Sequence, residues 1–311
     1  PATLMLIAQV EMDGVWSIDG GMHALAACLE RLARARGAVF HYGRRCERIE
    51  LHQGRVCGVR LANGETLRAD CVVFNGDAAA LRTGLRGEPV QRAVPARAPQ
   101  RSLSALTWSL NAPTSALALD RHNVFFQHPG KAPYAQEFSD VFTHHRLPAA
   151  PTVYVCAQDR GTSSAPHDGT HERLLALVNA PATGDTESLT PEAIEQCETT
   201  SFALLRRCGL KIRQAQPPAI RTTPMDFNRL FPATGGALYG QATHGWMSAF
   251  ARSNAATPVP GLFLAGGSVH PGPGVPMAAL SGLRAAEALM ANRALTRPSP
   301  AVATSGGTST P

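Results

Sequence analysis

Apolar positions at Met22, Leu25, Ala26, Leu29, Leu32 and Ala33 recur every three or four residues, the spacing of one helical face. The pattern predicts a helix that opens at Gly20-Gly21-Met22, buries that face, and ends at Gly37. A strand is expected at Val39–Tyr42, then Cys46–Leu51 and Val56–Leu61 joined by a turn at Gln53-Gly54. Asn63-Gly64 tolerates φ > 0 and makes a second turn, so Thr66–Ala69 pairs back before the apolar strand Cys71–Phe74. Residues 14–75 thus read as one unit: helix, strand, small antiparallel sheet, strand.

Over 76–220 the pattern is less regular. Pro-rich interruptions at 89–99, 129–133 and 148–151 separate the strand-like segments Leu103–Leu110, Thr152–Cys156 and Leu174–Asn179. Pro191 opens an amphipathic helix running to about Cys208, where Gly209 stops it. This region reads as a second domain inserted into the first. The α/β pattern then returns: a buried strand over 261–265, a loop from Gly266 to Gly274, and a helix from Val275 through Leu280, Leu283, Ala286 and Leu289. Beyond Arg297 the Ser/Thr/Gly/Pro-rich tail is expected to be disordered.

Composition narrows the classes. With 44% hydrophobic and 17% charged residues, the chain can bury a core. No apolar run approaches the roughly 18 residues of a membrane span. The net charge of +6 is carried mostly by scattered Arg, only Lys131 and Lys211 being Lys, without the basic stripe and interleaved aromatics of a nucleic-acid site. Seven widely spaced Cys without a C-x-x-C argue against a disulfide framework or zinc cage and for a reducing compartment. The chain begins at Pro1 and no signal peptide is read from it.

The most informative chemistry lies in the loop before the last helix. Four glycines and three prolines fall within the eleven residues Gly266–Pro276. Glycines let a backbone approach a ligand, and free N–H groups at a helix start favour negative charge. Gly266-Gly267-Ser268-Val269-His270 imitates a nucleophile elbow, but His270 replaces its closing glycine. Gly272-Pro273-Gly274 starts like a dinucleotide fingerprint but lacks the third glycine, and the complete motif occurs nowhere. His144-His145, and His167 with His171, are placed for turns or core rather than for ligation, so no metal is expected.

Gly20-Gly21-Met22-His23-Ala24-Leu25, the stretch Ala69–Asp77 and the segment Gly261–Gly282 together resemble the phytoene desaturase family of flavin-dependent carotenoid desaturases. Within it, Gly240–Met247 and Ala265–Met277 look most like the branch acting on hydroxy- and methoxyneurosporene in purple photosynthetic bacteria. The resemblance spans residues 1–292 and implies an α/β (mixed α+β) two-domain FAD-binding flavoprotein of the amine oxidase/phytoene desaturase type. Members open with a strand, a G-x-G-x-x-G and a helix for the ADP part of FAD; this chain lacks them, and the expectation is a C-terminal fragment. The implied division is 1–76 and 236–292 for the FAD-binding domain, 77–235 for the substrate domain, and 293–311 for the tail.

By position, the resemblance implies FAD contacts at Gly266 and Gly267, at the helix start Val275, Pro276 and Met277, at Cys46 through its backbone, at the pair Gly20-Gly21, and at Asn75. It identifies no general base; His270 and His244 lie in the resembling motifs and are candidates to shuttle a proton. Phe125, Phe126, Phe138, Phe142, Tyr154, Phe227, Phe231 and Trp246 are candidates for the wall of an apolar channel, most of them as plain core. The implied reaction is 3,4-desaturation of a 1-hydroxy or 1-methoxy carotenoid in spheroidene or spirilloxanthin formation, at the cytoplasmic membrane face and peripheral to it. Alternatives are a phytoene-type desaturase or carotenoid isomerase, a non-catalytic carotenoid-binding module, and more remotely an amine oxidase-like flavoprotein.

Overall fold

Val72–Phe74 lies parallel to Leu262–Leu264, with Val72 opposite Leu262 and Phe74 opposite Leu264, so two segments far apart in the sequence share one ladder. A parallel pair needs a crossover, and here the crossover contains most of the molecule. The computed structural model describes residues 12, 14, 16–115, 117–127, 132–161, 171–187, 189–213, 219–242 and 252–296.

Helix α1 (Gly21–Ala35) leads to a three-stranded antiparallel sheet of β1 (Cys46–His52), β2 (Arg55–Leu61) and β3 (Thr66–Arg68), and then to β4 (Val72–Phe74). The β1–β2 hairpin closes at Gln53 and Gly54, both at positive φ (49° and 79°), as their residue types allow. Ile49 and Val56 face inward and join Leu81, Val90, Val259, Leu262 and Leu264 in one core. That core is closed by the short helix α2 (Ala78–Arg82) and a 3₁₀ turn at Glu88–Ala93.

The second sheet has five strands in the order β11-β5-β9-β8-β7: Ile220–Thr222, Ser104–Ala112, Glu172–Ala180, Val153–Ala157 and His122–Phe125. β5 and β9 pair along their whole length, Ser104 opposite Ala180 and Ala112 opposite Glu172. Alternate residues of this sheet, Leu106, Trp108, Val153, Val155 and Leu174, pack against Ile194, Cys197, Leu204 and Leu205 of α4 (Pro191–Arg207). The burial follows from period two in the strands and 3.6 in the helix. Each such Leu or Val contributes about 1.5–3 kcal/mol. Thr190 caps α4 by accepting from the Ala193 N–H at 3.2 Å, and Pro191 occupies the first turn, where an N–H has no helical partner. The short strands β6 (Thr114–Ser115) and β10 (Lys211–Ile212) pair beside the sheet, α3 (Ala132–Phe142) flanks it, α5 (Pro224–Leu230) packs on β5, and α6 (Val275–Thr296) follows β12 (Leu262–Leu264).

Two expectations are corrected. Val39–Tyr42 is not a strand. Phe40 stacks on Tyr42 and lies under Arg34, and the Tyr42 hydroxyl donates to Glu30 at 2.6 Å, so side chains of α1 hold the segment and no neighbouring strand claims its backbone. The face of α1 is apolar as expected but not buried: Met22, Leu29 and Leu32 are about half exposed, and the helix has no buried residue. The tail beyond 296, His244, Trp246, Lys131 and His167 lie outside the described residues.

Candidate functional site

The loop after β12 is held from three sides. Ala265 N–H donates to Phe74 O at 3.1 Å, which extends the parallel ladder by one bond. Gly266 N–H donates to the hydroxyl of Ser281 at 2.7 Å, and that hydroxyl donates to Ala278 O at 2.7 Å, fixing the loop to the first turns of α6. On the β4 side, Ala78 N–H donates to Ser268 Oγ at 3.3 Å. Gly266 has φ +114° and a Cβ there would stand 2.6 Å from Asn75 Oδ1, so only glycine allows this approach.

Between these backbones and α5 lies a cleft of about 230 Å³, lined by Asn75, Gly76, Asp77, Gly266, Gly267 and Ser268 on one side and Phe227, Phe231, Thr234 and Leu238 on the other. One wall is backbone and small polar groups; the other is largely apolar. A smaller cavity of about 100 Å³ continues past Asp77, Thr234, Gly240 and Ser268 to Arg82 and Arg101. Arg101 is engaged there by a bidentate pair to Asp185 (2.7 and 2.6 Å) and by the carbonyls of Ala182 and Ala233.

Of the residues singled out by sequence, Asn75, Gly266 and Gly267 meet on this cleft. Val275, Pro276 and Met277 follow it as the first turn of α6, whose Ala278 N–H is bonded to Gly274 O at 2.8 Å. The N–H groups of Val275 and Met277 thus precede that bond, at the positive end of a 22-residue helix. The amide of Gly266 is already committed to Ser281 and so is not free to donate into the cleft. His270 does not line the cleft; its N–H donates to Ser253 O at 2.9 Å and a cis peptide joins it to Pro271. Gly20 and Gly21 stand at the start of α1 and Cys46 at the start of β1, none of them on the cleft. Burial pushes the Cys46 thiol up.

Among the candidate aromatic wall, Phe227 and Phe231 line the cleft, Phe125 belongs to the core beneath the five-stranded sheet, and Phe138 stacks on Phe142. Tyr154 lies on the sheet face opposite α4, hydrogen-bonded to His122 at 2.6 Å, its hydroxyl pushed up to about 12 by burial and by Cys156. Sequence reading did not single out Arg252, Thr234 or Ser281, and drew Asp77 only into a longer stretch. Nothing in the sequence marks one Arg among 27, and Ser281 is one more small residue in a helix.

The residues present suit a dinucleotide. Close approach is enforced at Gly266, open space remains at Gly267, where a Cβ would find only Pro273 at 3.5 Å, and a helix start follows. The profile of flavin containing amine oxidoreductases matches residues 3–290. The chain belongs to this family. Membership implies FAD as cofactor, and the mixed α/β fold agrees with it.

The chain is similar to hydroxyneurosporene desaturase of Rubrivivax gelatinosus, 57% identical over 311 residues, covering 100% of this chain and 58% of the relative. It is 44% identical to hydroxyneurosporene desaturase of Cereibacter sphaeroides, over 94% of this chain and 58% of that one. Similarity to 4,4'-diapolycopene oxygenase of Methylomonas sp is 29% identity, over 91% of this chain and 56% of that one. Among solved structures, an oxidoreductase from Methanosarcina mazei overlays with a TM-score of 0.48 at 15% identity, covering 86% of this chain and 54% of that chain. The chain thus spans less than two thirds of the length of these curated relatives.

Proposed function

We propose that this chain is the carboxy-terminal portion of an FAD-dependent carotenoid desaturase that removes two hydrogens from a 1-hydroxy or 1-methoxy carotenoid at the 3,4 bond. The single observation that carries the reading is the two-sided cleft, in which the glycine backbone of 266–267 faces Phe227, Phe231 and Leu238. A polyene offers no polar handle along its length, so an apolar wall beside the cofactor backbone is what its binding needs. The relatives named hydroxyneurosporene desaturase, at 57% and 44% identity, support the substrate class.

Bound FAD supplies a two-electron sink that side chains cannot provide. Gly266 keeps the loop against Asn75, Ser281 pins it to α6, and the amides and positive dipole end of the first turn of α6 would favour negative charge on a reduced flavin held there. Phe227, Phe231 and Leu238 exclude water. In this reading 1–76 and 236–292 form the FAD-binding part and 77–235 the substrate part. Asn75 would meet the cofactor on the cleft beside Gly266; Cys46, Gly20 and Gly21 would meet other parts of it in the longer protein, and His244, or His270 from its place off the cleft, is the candidate proton shuttle.

No helix among the described residues is long and apolar enough to cross a membrane. The lipophilic substrate supports peripheral attachment at the cytoplasmic membrane face, with a photosynthetic bacterium as the setting. The test is expression of the protein at the full length of its relatives, with membranes and hydroxyneurosporene, reading flavin absorbance and the red shift of the lengthened polyene. Conversion of phytoene in place of hydroxyneurosporene would replace the substrate assignment with the phytoene-type alternative.

A further inference from the structure

Arg252 is 4% exposed, yet among the described residues its guanidinium meets no carboxylate within hydrogen-bond distance. It donates instead to three backbone carbonyls: Gly267 at 3.3 Å, Tyr239 at 3.1 Å and Gln241 at 3.0 Å. These belong to two separate loops, and each loop contributes to the cleft, through Gly267 and through Gly240. The packing around the group is tight, since a Cβ at Gly272 would stand 3.3 Å from its Nε and one at Gly240 3.4 Å from its Nη1. Among the described residues, Asp77 is the acid whose charge reaches it. Asp77 also lines the cleft and caps α2, its Oδ1 accepting from the Ala79 N–H at 2.8 Å. Burial lowers the proton affinity of Arg252, and Asp77 acts against that.

A buried charge is costly unless it is compensated, and carbonyl dipoles compensate only part of it. The fold keeps one here, behind the loop that the proposed function assigns to the flavin. We propose that Arg252 is a positioning and charge-setting residue of the flavin cleft: it ties the 239–241 loop to the 267–272 loop and supplies a fixed positive charge that favours the reduced, anionic flavin, with Asp77 as the opposing charge. The inference rests on the reading of the cleft as the flavin site. A brace that was only mechanical would change flavin retention but would not make the two residues act with opposite sign.

The experiment uses the protein at the full length of its relatives, loaded with FAD, and measures the midpoint potential of the bound flavin, the FAD dissociation constant and the Tm for the wild type, Arg252→Met, Arg252→Lys and Asp77→Asn. Expected are a potential shifted negative in Arg252→Met, with FAD held at least tenfold more weakly, restoration toward the wild-type potential in Arg252→Lys, and a potential shifted positive in Asp77→Asn. Asparagine keeps the cap, so Asp77→Asn carries the test even where Arg252→Met does not fold. A potential in Asp77→Asn that is unchanged or moves negative overturns the inference. Failure of the wild-type protein to hold FAD overturns instead the flavin reading on which it rests.

Discussion

A methyl group at Gly266 would stand 2.6 Å from Oδ1 of Asn75, so the loop after β12 and the end of β4 approach more closely than any side chain permits. Gly266 also holds φ +114°, outside the region other residues adopt without strain. Gly266→Ala is therefore expected to cost about 1–3 kcal/mol in stability and to release flavin from the longer protein. A Tm series with a flavin-fluorescence readout checks it.

Gly267 separates space from strain. Its Cβ would make an ordinary 3.5 Å contact with Pro273 and its φ is not in the left-handed region. Gly267→Ala should leave stability within about 0.5 kcal/mol. Gly267→Leu places a side chain in the 230 Å³ cleft and should abolish cofactor retention while the fold persists. Circular dichroism beside flavin absorbance separates the two effects; a leucine variant that keeps its flavin contradicts the placement of cofactor backbone at this loop.

Ser281 is fully buried and serves both Gly266 and Ala278. Ser281→Val leaves the Gly266 amide without its partner in a closed site, an expected loss of about 1–3 kcal/mol. The effect is read by urea denaturation, and Ser281→Thr, which keeps the hydroxyl, should recover part of it.

Asp140 gives the pH dependence a sign. Its side chain is 1% exposed; burial raises its pKa, but the hydrogen bonds from Arg146 (2.7 and 3.0 Å) and Gln136 (2.9 Å) win and hold the carboxyl below the usual range. A depressed folded pKa contributes stability above the unfolded value of about 3.9, lost as pH falls through the folded value. The chain should lose stability in that acid window, and Asp140→Asn should flatten the loss there while lowering stability at neutral pH. An unchanged pH profile in the variant would remove Asp140 from the account.

Wherever one local rule decided the outcome, the elements were legible in the sequence. Pro191 and Gly209 bracket α4, Gln53-Gly54 makes the first hairpin, and the apolar run before Gly266 is β12. The density of glycines singles out the loop that carries Gly266 and Gly267, and Asn75 enters only through the family resemblance; the structure brings the three together on one cleft. Val39–Tyr42 was misread because a strand needs a neighbour, and the neighbour is a tertiary fact. Arg252 was illegible for the same reason: its meaning lies in carbonyls at 239, 241 and 267, and no periodicity marks a residue whose partners are backbone on two distant loops.

The exposed face of α1 yields the last prediction. Met22, Leu29 and Leu32 are 54%, 59% and 49% exposed, so in this 311-residue chain Leu29→Glu with Leu32→Glu removes no buried contact. The pair should change stability by no more than about 0.5 kcal/mol and should reduce binding of a hydrophobic dye. Helical spacing that exposes leucine along a whole face is otherwise the pattern of a surface meeting another element. The same substitutions in the protein at the full length of its relatives should then cost more, about 2–5 kcal/mol if both leucines are buried there. Equal, small effects in both lengths would show that α1 stays uncovered and that its apolar periodicity serves only the helix itself.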